Sequence, residues 1–80
     1  MALVKNIDRR EKERHRVHGE VECSSSVFED AGNTYLQLDT FGSPGREQPG
    51  TISQALQFDR HSAEQLLRLI METYPELRPR

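Results

Sequence analysis

Residues 51–75 read Thr51-Ile52-Ser53-Gln54-Ala55-Leu56-Gln57-Phe58-Asp59-Arg60-His61-Ser62-Ala63-Glu64-Gln65-Leu66-Leu67-Arg68-Leu69-Ile70-Met71-Glu72-Thr73-Tyr74-Pro75, and the apolar period changes within them. Over 51–58 it is two: Ile52, Leu56 and Phe58 share a face with Gln54, while Thr51, Ser53, Ala55 and Gln57 face the other way, as in a strand. From Ala63 it is 3.6. Ala63, Leu66, Leu67, Ile70, Met71 and Tyr74 fall on one side of a helix, with Glu64, Gln65, Arg68 and Glu72 outward. Ser62 with Gln65 three residues on matches a capping box, which places the helix start there. Pro75 ends the helix by disfavouring the α conformation at Tyr74. Leu69 lies at the edge of the stripe; core packing explains it, and it is also the candidate for contact with a second subunit.

Working back from this unit, residues 35–41 alternate as a second strand. Leu36, Leu38 and Thr40 share one face, and Tyr35, Gln37, Asp39 and Phe41 the other. Before it, Val17, Gly19, Val21, Cys23, Ser25 and Val27 alternate with His18, Glu20, Glu22, Ser24 and Ser26, which reads as a strand from Val17 onward. Glu29-Asp30-Ala31-Gly32-Asn33 between the two supplies a hairpin turn, with Gly32 or Asn33 free to take positive φ. Residues 42–50, with three Gly and two Pro, form a long connection carrying Arg46. The fold expected is α+β, β-β-β-α: a three-stranded antiparallel meander with one C-terminal helix packed on one face. Residues 15–75 make this single domain, 1–14 a basic arm whose order the sequence leaves open, and 76–80 a loose tail.

The formal net charge of −2 over 80 residues hides an asymmetry. Residues 5–18 carry six cations (Lys5, Arg9, Arg10, Lys12, Arg14, Arg16) against three acids (Asp8, Glu11, Glu13), a balance of +3, so the rest of the chain stands at −5. A core built from 80 residues supplies only about 3–5 kcal/mol, so self-association is expected. The single Cys23 forms no internal disulfide and reads as a small buried apolar residue on the inner face. No run has the length of a membrane span or of a signal-peptide core, which gives the expectation of a cytoplasmic protein with no membrane partner.

Constellations with chemistry are thin. Ser24, Ser25 and Ser26 with Asp39 and His61 contain the residue types of a triad, but no G-x-S-x-G elbow exposes a serine. His15, His18 and Cys23 are metal-ligand types at a spacing that, in a strand, sends residues three apart to opposite faces. Glu20, Glu22 and Asp39 share the outer face and read as its solvated decoration. No enzyme activity, cofactor or metal site is expected. The outer face does offer Tyr35 and Phe41 beside Gln37 and Gln57, rings and amides that suit unpaired bases or a protein partner. Arg46 and the basic arm (Arg9, Arg10, Lys12, Arg14, Arg16) are placed to meet phosphates.

The strand, connector and helix over residues 52–66 resemble the end of the positive-cofactor-four type of transcriptional coactivator. That resemblance implies a small dimer with a curved antiparallel sheet and a C-terminal helix, binding single-stranded DNA. The present chain has no lysine-rich strands and, on the three-strand reading, one strand fewer. Residues 35–43 followed by Ser53-Gln54 also resemble short uncharacterised bacterial proteins, a likeness that implies no activity.

The function expected is therefore a small homodimeric, non-enzymatic binding module, a protein-interaction or regulatory accessory subunit. The alternative is a single-stranded nucleic-acid binder using the open sheet face and the arm; the −5 body favours the first.

Overall fold

A computed structural model of the protein describes residues 1–42 and 51–80. It is α+β, with a four-stranded mixed sheet and one C-terminal helix. The strands are β1 (Ala2–Val4), β2 (Cys23–Asp30), β3 (Asn33–Phe41) and β4 (Ile52–Phe58); the helix α1 spans Arg60–Thr73. Across the sheet the order is β1-β4-β3-β2. The β2-β3-β4 meander is antiparallel, as its alternation requires. The fourth strand was not expected: Ala2, Leu3 and Val4 lie within the arm, yet pair in parallel with Leu56, Gln57 and Phe58. A three-residue strand is too short for its period to be read.

β2 begins at Cys23, not at Val17. The alternation of 17–22 is strand-like, but β3 ends at Phe41, whose N–H bonds Glu22 O at 3.0 Å, so among the described residues no strand continues beyond it to pair with 17–21. Val17 is accordingly 97% exposed. The β2–β3 hairpin turns on Ala31 (φ 49°) and Gly32 (φ 80°). Positive φ at both central residues is the requirement of a type I′ turn, whose twist matches the strands. Gly32 was anticipated there; Ala31, and not Asn33, is its partner, since Asn33 already pairs with Asp30 in the ladder.

One irregularity reorders a face. Thr40 pairs with Gln54 but Phe41 with Ile52, so Ser53 is an extra residue on β4. A one-residue slip reverses side-chain parity. Ile52, expected beside Leu56 and Phe58, instead borders a concavity with Asp39, Ala55 and Gln57 on the opposite face. The Ser53 hydroxyl meets that of Thr40 at 3.0 Å.

The helix starts earlier than the Ser62–Gln65 pattern suggests. Asp59 is the N-cap: its Oδ1 accepts from Ser62 N at 2.9 Å, and Asp59 N donates to Ser62 Oγ at 3.1 Å. Ser62 is thus the third helical residue and is fully buried. Tyr74 leaves the helical conformation, its N–H still bonded to Ile70 O. The tail begins with a 3-10 turn, Pro75–Leu77.

α1 meets the sheet face that carries Leu36 and Phe58, with Ala63 beside them. Coverage is slight. Among the described residues only Ala55 (7% exposed) and Phe58 (5%) are buried apolar side chains. Cys23 is exposed, against the buried position expected, because it stands on the outermost strand where no helix reaches. The Cα radius of gyration is 15.1 Å, where a compact 80-residue chain has about 12 Å.

Candidate interaction surfaces

The arm is tied down by side chains the sequence pattern did not single out. Ile7 N donates to Gln65 Oε1 at 2.8 Å, and Gln65 Nε2 donates to Asn6 Oδ1 at 2.8 Å. Lys5 Nζ pairs with Asp59 Oδ2 at 2.6 Å. The hydrogen bond from Lys5, reinforced by the Ser62 N–H, holds the Asp59 carboxyl down at about 2, while Asp59 raises the Lys5 ammonium above its ordinary value. Gln65, expected to face outward, is therefore half-buried under the arm.

This docking sets the rotation of α1. The covered line of the helix runs through Ser62, Gln65, Leu66 and Leu69, an i, i+3, i+4, i+7 series. Leu69 is half-buried within it. Leu67 (56% exposed), Ile70 and Tyr74 come from the expected core stripe yet face outward, and Leu77 extends them. The result is an apolar ridge along the helix. On the sheet, Leu56 and Val27 add exposed apolar surface on the side that α1 approaches.

The opposite face carries the residues proposed from alternation. Gln57 Nε2 donates to Gln37 Oε1 at 2.9 Å, and Gln37 Nε2 donates to Asp39 Oδ1 at 2.8 Å. This chain of amides crosses from β4 to β3. Next along β3, the Tyr35 ring stacks on Phe28, with centroids 5.3 Å apart and planes at 21°. Phe28 was missed as a ring partner; its register opposite Tyr35 follows only once the two-residue turn is known. Phe41 follows the same alternation and is half-buried at the end of β3. Gln37, Asp39, Ala55 and Gln57, with Leu3 and Ile52, border a concavity of about 280 Å³. Arg46 lies outside the described residues.

The remaining candidates do not converge. Asp39 borders that concavity, whereas His61 borders a different one with Lys5, Tyr35, Asp59 and Arg60. Ser24, Ser25 and Ser26 are exposed on the sheet edge. Glu20 and Glu22 precede β2 and are exposed. His15 and His18 lie in exposed chain outside helix and strand, as do Arg9, Arg10, Lys12, Arg14 and Arg16. Among the described residues Arg9 pairs with Glu11, two residues on, at 3.2 Å. Among the described residues no three His, Cys, Asp or Glu side chains are grouped to hold a metal ion, and no helix is long and apolar enough to cross a membrane. Comparison with protein-family models, curated proteins and solved structures found no match for the chain.

Proposed function

We propose that the protein is a non-catalytic binding module that works as a homodimer and offers the apolar ridge of α1 to a protein partner. One observation carries this reading. The chain exposes 7411 Å², whereas a compact monomer of its mass exposes about 4900 Å². The difference is roughly 2500 Å² for one chain, where a stable interface buries about 600–1000 Å² of each partner. Part of it is the extended chain 8–22, but Leu56, Leu67, Ile70, Tyr74 and Leu77 belong to ordered elements and still face solvent. With so little apolar surface covered, folding should be linked to association.

The test is thermal unfolding over a hundredfold range of protein concentration. A folded homodimer gives a Tm that rises with concentration, since association with the native state stabilises it by mass action. A Tm that does not move overturns the reading.

A second reading, binding of single-stranded nucleic acid, is favoured by the Phe28–Tyr35 stack beside the Gln57–Gln37–Asp39 chain on an open sheet face. Its support is weaker because Asp39 puts negative charge on that face. Titration with labelled single-stranded DNA and RNA at two salt concentrations separates the readings. Tight, steeply salt-dependent binding that is reduced in Tyr35→Ala establishes the second, and no binding at low salt excludes it.

A further inference from the structure

The sheet has two unlike edges. β1, at one end, is only three residues long, and a short edge strand offers little to pair with. β2, at the other, runs for eight residues without proline, lysine or bulge, all of them exposed. Its outward groups can be assigned. Phe41 N bonds Glu22 O, so Glu22 and the even residues of β2 exchange bonds with β3, and Cys23, Ser25, Val27 and Glu29 direct their N–H and C=O groups away from the sheet. Residues 17–21 continue the strand alternation past the end of β3, and among the described residues none of them has a ladder partner.

We propose that a second copy of the chain adds to this edge, β2 against β2 in antiparallel, with the two-fold axis at Cys23 and residues 17–22 of each copy completing the ladder of the other. The proposal rests on the homodimer reading and names its interface. A two-fold axis normal to the sheet keeps facing residues on one side, so the register moves only in steps that preserve parity. Charge then chooses among the registers. Centring on Ser25 or Ser26 sets Asp30 against Glu20 or Glu22, and centring on Glu22 pairs Asp30 with Arg14 but sets Glu22 against its own copy. Centring on Ser24 sets Asp30 against His18 and leaves Arg16 beyond the partner's Asp30. Centring on Cys23 brings Arg16 opposite Asp30, Glu20 opposite Ser26 and Val21 opposite Ser25. Like charges facing across strands are destabilising and opposite charges favourable, and this register alone pairs Asp30 with an arginine while setting no acid against another.

The experiment uses the full chain and three measurements. Sedimentation equilibrium should give a dimer. Ser25→Pro removes an N–H that points away from β3, which an edge strand tolerates, yet it deletes one ladder bond per copy in the dimer. It should weaken dimerisation about a hundredfold or more, and circular dichroism should keep the wild-type shape at concentrations high enough to hold the variant dimeric. Arg16→Glu and Asp30→Arg should each weaken the dimer, and the double variant should restore it. A short bis-maleimide should couple Cys23 to its copy, the Cα atoms of facing residues being about 5.5 Å apart. A dimer that forms no Cys23 cross-link and keeps its affinity in Ser25→Pro and in Arg16→Glu overturns the edge-strand interface while leaving the homodimer reading standing. A wild-type chain that stays monomeric overturns both.

Discussion

Lys5 Nζ lies 2.6 Å from Asp59 Oδ2, so the residue that follows the parallel edge strand holds the N-cap of the helix that follows the central strand. Asp59 serves two ends at once: its Oδ1 accepts from Ser62 N and its Oδ2 from Lys5. Asp59→Ala is therefore expected to lower Tm more than Lys5→Ala, because only the first also removes the capping box. Thermal unfolding of the two variants followed by circular dichroism makes the comparison; equal losses would show that the cap contributes nothing.

The same carboxyl gives the protein a defined acid response. Its value is lowered from an ordinary 3.8 to about 2, first by the hydrogen bond from Lys5 and then by the Ser62 N–H. A depressed carboxyl value stabilises the fold above the unfolded-state value and loses that contribution as pH falls through the folded one. The Tm difference between wild type and Asp59→Asn should be constant above about pH 5 and shrink between about pH 4 and 2. Lys5 acts in the opposite sense: its raised value contributes below about pH 10 and is lost at more alkaline pH.

Ala31 occupies the left-handed region at φ 49°, a conformation that costs a residue with a Cβ about 1–2 kcal/mol. Asparagine tolerates it and, with Gly32, would form the Asn-Gly pair preferred in type I′ turns. Ala31→Asn should stabilise the protein by about 0.5–1 kcal/mol, and Ala31→Val should destabilise it. Urea titration gives both values.

Phe58 is the largest apolar side chain buried among the described residues. Phe58→Ala should cost about 3–5 kcal/mol, comparable with the about 3–5 kcal/mol that a core of this size supplies. The variant should be unfolded at 25 °C. Leu56→Ala, in the same strand but substantially exposed, should remain folded with a loss of about 1–2 kcal/mol. A folded Phe58→Ala protein would mean that the sheet and helix are held by something other than their contact at Phe58.

Gln65 bonds the arm twice, through Asn6 and Ile7. Gln65→Ala should lower the hydrogen-exchange protection of the Ile7 amide by about tenfold, with little change at Leu38 in the sheet centre. Exchange measured by NMR resolves the two amides separately.

The meander and the helix were legible because period two in 35–41 and 51–58 and period 3.6 from Ala63 each run long enough to be read. What escaped the pattern depended on neighbours distant in sequence. Ala2–Val4 becomes a strand because β4 offers an edge, and Val17–Glu22 does not because β3 ends at Phe41. The helix stripe was found but its rotation was not: Gln65 turns inward to meet Asn6 and Ile7, which carries Leu67 and Ile70 outward. Ile52 changed face through one extra residue, Ser53, which alternation alone does not reveal. Of the surface residues singled out, Gln37 and Gln57 are brought into direct contact, with Tyr35 two residues along the same face.

On the homodimer proposal the chain completes its fold by association. Sedimentation equilibrium of the wild-type protein at micromolar to hundred-micromolar concentration tests it most directly. The expected result is a mass of twice the 9.2 kDa chain, dissociating only on dilution together with loss of helix and sheet. A folded chain of 9.2 kDa at every concentration would contradict it.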